Sequence, residues 1–185
     1  DKIQSLPAIS LVGDAKNTLY EPNGVMAIVG GTYPDGVWTA SGAGSYNNML
    51  DRELERPVSV EWIVSGEDED FQIDCGLRVH GSPYTRPRYV RQNGQWSGTG
   101  KISFRLYFRG EYGHSRLEYP LFELSDAEQF ATLVLRAGHN DQTNPFIKDE
   151  LLRRLHRDMG QVACMGTFVN LFVNGEYKGF YNPTE

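Results

Sequence analysis

Cysteine is scarce in this 185-residue chain: only Cys75 and Cys164 are present, and neither stands in a C-x-x-C pair. A zinc site is thereby disfavoured. Two alternatives stay open for the thiols: one disulfide closing a long loop, worth on the order of 3–5 kcal/mol by the chain-entropy model, or two buried free thiols. Long apolar runs are also missing. No stretch approaches the ~20 residues of a membrane helix, so no membrane span is expected. No unit of ~20–50 residues recurs, which excludes solenoids and propellers. The histidines, His80, His114, His139 and His156, make no H-E-x-x-H spacing, there is no G-x-S-x-G elbow, and neither cysteine has a histidine nearby. Zinc-protease and nucleophilic hydrolase chemistry are therefore not indicated. The acidic run at 67–70 lacks EF-hand spacing and reads as a solvated turn. Asp1-Lys2-Ile3-Gln4 is no signal peptide, so either export is absent or a leader has been removed.

What the chain does have is glycine, 20 residues, with 9 prolines, a composition of turns and short strands. With 39% hydrophobic and 12% aromatic residues against 23% charged, it has the apolar mass for a core. A net charge of −6 argues against a general nucleic-acid binder. The signs are segregated. Acids crowd residues 51–74, whereas Arg78, Arg86, Arg88, Arg91, Lys101, Arg105, Arg109 and Arg116 face Glu111 alone over 77–116. Either the bases form a confined anion site or the two stretches lie together and neutralise each other.

Periodicity places the elements. Residues 6–12 read as an edge strand, and 13–51 as a long loop-rich excursion, mobile or packed over the sheet. Alternating strands follow at 58–64 and 71–80, the second with Gly76 as a candidate bulge. After a loop over 81–100, residues 101–109 are the clearest strand: Ile102, Phe104, Leu106 and Phe108 share one face, and Lys101, Ser103, Arg105, Tyr107 and Arg109 the other. A capping-box signature at 125–128 predicts a short helix, and 132–136 a buried strand. Asn144-Pro145 opens the principal helix, about 146–159, with the stripe Ile147, Leu151, Leu152, Leu155 and Met159 and a stop at Gly160. Asn174-Gly175 between 167–173 and 176–181 predicts a hairpin. The fold class is α+β, a mainly antiparallel sheet with one principal helix. The stop just past the last strand reads as a cut.

The candidate chemistry is cationic. Lys101, Arg105 and Arg109 on one strand face suit a polyphosphate or an acidic peptide, or else form a solvated face paired with neighbours such as Glu61. The loop 94–101 fails the P-loop pattern at Gln95 and Ile102. On the helix, Lys148 falls within the apolar stripe and is expected to face inward, while Glu150 lies on the flank with Arg154 as a surface glutamate unless a cleft adjoins it.

Several blocks resemble the spore-coat protein H (CotH) kinase family: Leu77-Arg78-Val79-His80-Gly81, Lys101 to Gly113, Tyr119-Pro120-Leu121-Phe122, Ile147-Lys148-Asp149-Glu150-Leu151, Asp158-Met159-Gly160 and Val173 to Tyr181. The likeness runs from about Leu6 to the last residue. It implies the N-terminal lobe of an atypical protein kinase fold that uses ATP with Mg or Mn to phosphorylate protein Ser/Thr, 1–185 being one truncated domain. By that resemblance Lys101 holds the nucleotide phosphates, Glu150 is a candidate to orient it, and Arg78 and Gly81 lie at the loop over the phosphates; Arg105, from the strand stripe, and Lys148, from its place on the helix, complete the candidate phosphate-binding set. The family often has a second basic residue at position 102 and an arginine at 148. Catalytic aspartates are expected beyond Glu185, so these residues alone are expected to be inactive, with the remainder of the domain as a partner. An extracellular, cell-surface or spore-coat setting is implied. The alternative is a surface adhesin without catalysis, with Trp38, Tyr46, Tyr84 and Trp96 as contacts.

Overall fold

Alternating apolar residues give each strand a core face and an outer face, and the pairings between strands decide what shape those faces enclose. The computed structural model describes residues 5–36, 38–39, 46–47, 52–66, 70–81, 90–92, 95–97, 101–138 and 146–185. The strands are β1 (Ala8–Val12), β2 (Ile28–Val29), β3 (Tyr46–Asn47), β4 (Arg56–Ile63), β5 (Phe71–His80), β6 (Val90–Gln92), β7 (Gln95–Ser97), β8 (Ser103–Tyr107), β9 (Leu117–Glu118), β10 (Gln129–Phe130), β11 (Thr132–Arg136), β12 (Val169–Val173) and β13 (Glu176–Thr184); helix α1 is Lys148–Asp158.

The mainly antiparallel sheet with one main helix is as expected, but the sheet closes on itself. Its order is β1-β12-β13-β11-β8-β5-β4, and β1 closes the barrel by pairing parallel with β12 and antiparallel with β4. Closure leaves no unpaired edge in the barrel, so the strand at 8–12 is not an edge strand. Ile9, Leu11, Val58, Val60, Trp62, Cys75, Leu77, Val79, Leu133, Leu135, Leu171 and Tyr181 are buried in the core cluster, together with Ile102, Phe104, Leu106 and Phe108 as the alternation requires.

The excursion after β1 is packed where it is described. Asp14 Oδ1 accepts the Lys16 and Asn17 amides at 2.9 and 2.6 Å, capping a turn over Ala15–Tyr20 that delivers Leu19 to the core. Val25, Met26, Ala27, Ile28 and Trp38 are buried with it.

Other expectations are corrected too. Gly76 is no bulge: the β4–β5 register runs unbroken from Arg56↔Leu77 to Trp62↔Phe71. A side chain at 76 would overlap the Glu55 carboxylate, so glycine is there for close approach. The irregularity lies instead between Leu171 and Phe172, which pair with Gly179 and Tyr177. Residues 125–128 form no helix. Ser125 Oγ takes the Ala127 amide at 3.2 Å and donates to Glu185 Oε1 at 2.6 Å, a local turn of the kind that competes with helix.

A further correction concerns α1. The helix lies where expected, but its apolar stripe faces outward: Leu151, Leu155 and Met159 are 49, 48 and 70% exposed, whereas Glu150 is 2% exposed. The outer barrel face beneath it offers Arg136, Asn182 and the Gly166 carbonyl, so the charged side of the helix docks. Asp149 pairs with Arg136 and Arg153 at 3.0 and 2.6 Å, and Glu150 with Arg153 and Arg154. Asn182 donates to Glu150 Oε2 at 3.2 Å and accepts from Arg153 at 2.6 Å. Asn144 and Pro145 lie outside the described residues. Both cysteines are free, Cys75 buried and Cys164 exposed, which is neither a disulfide nor two buried thiols.

Candidate functional site

Extended backbone leading into β8 carries Lys101 to one end of the barrel, where the Tyr181 hydroxyl donates to the Ile102 carbonyl at 2.9 Å. There the Lys101 ammonium is half-buried and donates to the Phe180 carbonyl. It stands 4.6 and 4.7 Å from the ring centroids of Phe146 and Tyr181, a cation–π arrangement. Phe180 in turn meets Phe146 at 4.9 Å and Phe168 at 5.1 Å. Gly179, beside the lysine stem, has φ 106°, a backbone conformation that glycine adopts without strain. Burial lowers the Lys101 pKa from 10.5 to about 8, since a low-dielectric setting disfavours the charged form.

Glu150 is not the partner of this lysine. Its carboxylate is taken by Arg153, Arg154 and Asn182. Burial alone would raise its pKa, but those hydrogen bonds outweigh burial and hold it below the usual carboxylate value. The expectation of a routine surface glutamate fails, as does that of an inward Lys148: with the helix turned over, Lys148 is exposed.

The basic stripe separates into three environments. Arg109 leaves the row for Glu55, its Nε 2.9 Å and Nη2 3.3 Å from the two carboxylate oxygens. Arg78 Nε lies 3.0 Å from Glu55 Oε2, and its guanidinium stands 4.0 Å from the Tyr107 ring centroid, with Arg109 at 4.9 Å. Tyr112 Oη completes the cluster at 3.1 Å from Glu55 Oε1. The neutralising alternative is thus realised in part, through Glu55 rather than Glu61. Arg105, half-buried, pairs with neither: it sits directly opposite Arg78 in the β5–β8 register, and its buried Nε has no hydrogen-bond partner among the described residues. Gly81, at φ 118°, ends β5, and residues 82–89 after it are outside the description.

Glu55 is the residue that sequence reasoning missed. Its signal was Gly76 inside a strand, which marks close approach by something from a neighbour. Trp38 is not an exposed contact: it is buried, its indole donates to the Tyr20 carbonyl and its ring meets Tyr33 at 4.8 Å. Tyr84 and the side chains of Tyr46 and Trp96 lie outside the described residues. Among the described residues no group of three or more His, Cys, Asp or Glu is placed to hold a metal ion, and no helix is long and apolar enough to cross a membrane.

These strands define a β-barrel domain with cations gathered at one end and on its outer face. Residues 90–185, just over half of the chain, match the model of the family described as CotH kinase protein, and the chain belongs to that family. The matched part runs from β6 to β13 and takes in Lys101, Arg105 and α1; Arg78 and Gly81 precede it. A search of curated proteins found no match.

Proposed function

We propose that the chain is the ATP-binding part of a CotH-type protein Ser/Thr kinase, in a fold related to the N-terminal lobe of atypical kinases, with Lys101 receiving the nucleotide phosphates. One observation carries this reading. Lys101 is a half-buried cation surrounded by rings and a carbonyl, with no carboxylate paired to it among the described residues. A cation held where water is scarce gains more from an arriving anion than one in bulk solvent. Triphosphate binding would draw its pKa back up. Glu150 would act at one remove, seating α1 on the barrel rather than touching Lys101. Magnesium or manganese would arrive on the nucleotide; no described residues gather to hold it, and no step is assigned to it.

The outward apolar face of α1 favours a second reading, a surface binding module without catalysis. Under the kinase reading the same face is where the remainder of the domain packs. Calorimetric titration of the chain with ATP in MgCl2 or MnCl2 decides for or against nucleotide binding. Saturable binding weakened at least tenfold in Lys101→Ala is expected. Absence of binding at millimolar ATP, or equal binding by the variant, overturns the proposal.

A further inference from the structure

We propose that Arg105, with Arg78 opposite it, forms a phosphate-binding site on the outer face of the barrel, separate from Lys101. The register places the two arginines directly across from each other in an antiparallel pair, an arrangement in which like charges repel. On one side, the Glu55 carboxylate is fully engaged. Oε1 takes Arg109 Nε and Tyr112 Oη, while Oε2 takes Arg109 Nη2 and faces Arg78 Nε. Nothing of it reaches Arg105. On the other side, β11 sets Val134 opposite Arg105, and Arg136, two residues along, is committed to Asp149 at 3.0 Å.

Arg105 is thus a half-buried guanidinium whose buried Nε lacks a hydrogen-bond partner among the described residues. Lysine can relieve such a position by losing its proton; arginine cannot. No acceptor among the described residues satisfies the position, and the planar guanidinium fork is the donor geometry that phosphate oxygens match. Position 105 is four residues past Lys101 along the strand, roughly 13 Å of backbone at ~3.3 Å per residue, and Lys101 turns to Phe180, Phe146 and Tyr181 whereas Arg105 stands across from Arg78.

The site is tested with inorganic phosphate, by calorimetry and by thermal unfolding at low ionic strength, against sodium chloride of matched ionic strength. The wild-type chain is expected to bind phosphate saturably and to gain thermal stability from it, since a ligand of the folded state alone raises stability by mass action. Arg105→Gln, checked as folded by circular dichroism, is expected to bind at least tenfold more weakly, and Arg105→Lys to recover part of the loss. Lys101→Ala is expected to retain the phosphate binding that Arg105→Gln removes. A response no larger than that to chloride overturns the site, as does an unchanged Arg105→Gln. Loss in Lys101→Ala alone assigns the phosphate to the other centre and also overturns it. The proposal does not depend on the nucleotide reading: failure of ATP to bind leaves the phosphate result standing, and the reverse.

Discussion

The side-chain amide of Asn174 pairs with both peptide groups of Gly13, accepting its N–H on Oδ1 and donating from Nδ2 to its carbonyl, each at 2.9 Å. The Asn174 backbone N–H also donates to the Leu11 carbonyl at 2.8 Å, so one turn residue prolongs the parallel β1–β12 junction where the ladder ends. Its φ of 49° is the left-handed conformation that asparagine tolerates better than most residues. Asn174→Gly keeps the turn and removes the amide, and is expected to cost about 1–2 kcal/mol in urea unfolding. Asn174→Ala adds backbone strain and should cost more.

The inverted seating of α1 reverses the usual expectation for helix substitutions. Leu155→Gln, on the exposed face, should change stability by only about 0.5 kcal/mol. Glu150→Ala leaves Arg153 with Asp149 as its one carboxylate among the described residues and takes an acceptor from Asn182, and should cost about 1–3 kcal/mol. The Glu150 pKa is held below 4.5 in the folded state. Its stabilising contribution is therefore complete above the unfolded-state value and is lost as pH falls through the lower folded value. Acid unfolding followed by fluorescence should show a shallower loss of stability below about pH 4.5 in Glu150→Gln than in wild type.

Lys101 gives the same sign of pH dependence in a higher window, because folding disfavours its charged form. Its folded-state pKa of about 8 lies below the unfolded 10.5. Between those values the unfolded chain binds more protons, so stability rises with pH across that window. Carbon-13 NMR of the Lys101 Cε, assigned with Lys101→Arg, is expected to titrate near pH 8. A midpoint at the ordinary lysine value would place the ammonium in open water and remove the basis of its proposed role. Lys101→Met should be at least as stable as wild type at neutral pH and should flatten the rise.

The thiols differ in reach. Cys164 is exposed, whereas Cys75 is fully buried and its thiol is pushed far up by burial. One thiol is expected to react with Ellman's reagent in the native protein and a second only on unfolding. Two fast thiols would contradict the packing of β5.

What is local could be read from the residues in order. Asn174-Gly175 made the hairpin, alternation made β8 with Phe104 and Leu106 inward, and the fourfold spacing from Ile147 to Met159 marked the helix. That order also pointed to Lys101, Arg105 and Arg78 as the cations to watch, because charge of one sign in one segment is visible without a fold. The rest depended on how distant segments pack. Residues 8–11 close the barrel against 170–173, a pairing that no short window contains. Periodicity says which side chains of α1 share a face but not which face meets the barrel; Arg136 and Asn182, on strands distant from one another in sequence, settled that by offering polar partners to Asp149 and Glu150. The same holds for the basic stripe. Alternation put Lys101, Arg105 and Arg109 on one side of a strand, but rings from β13 and the start of α1, a carboxylate next to β4 and an arginine on β5 gave each cation a different setting, because charge takes its meaning from what is packed around it.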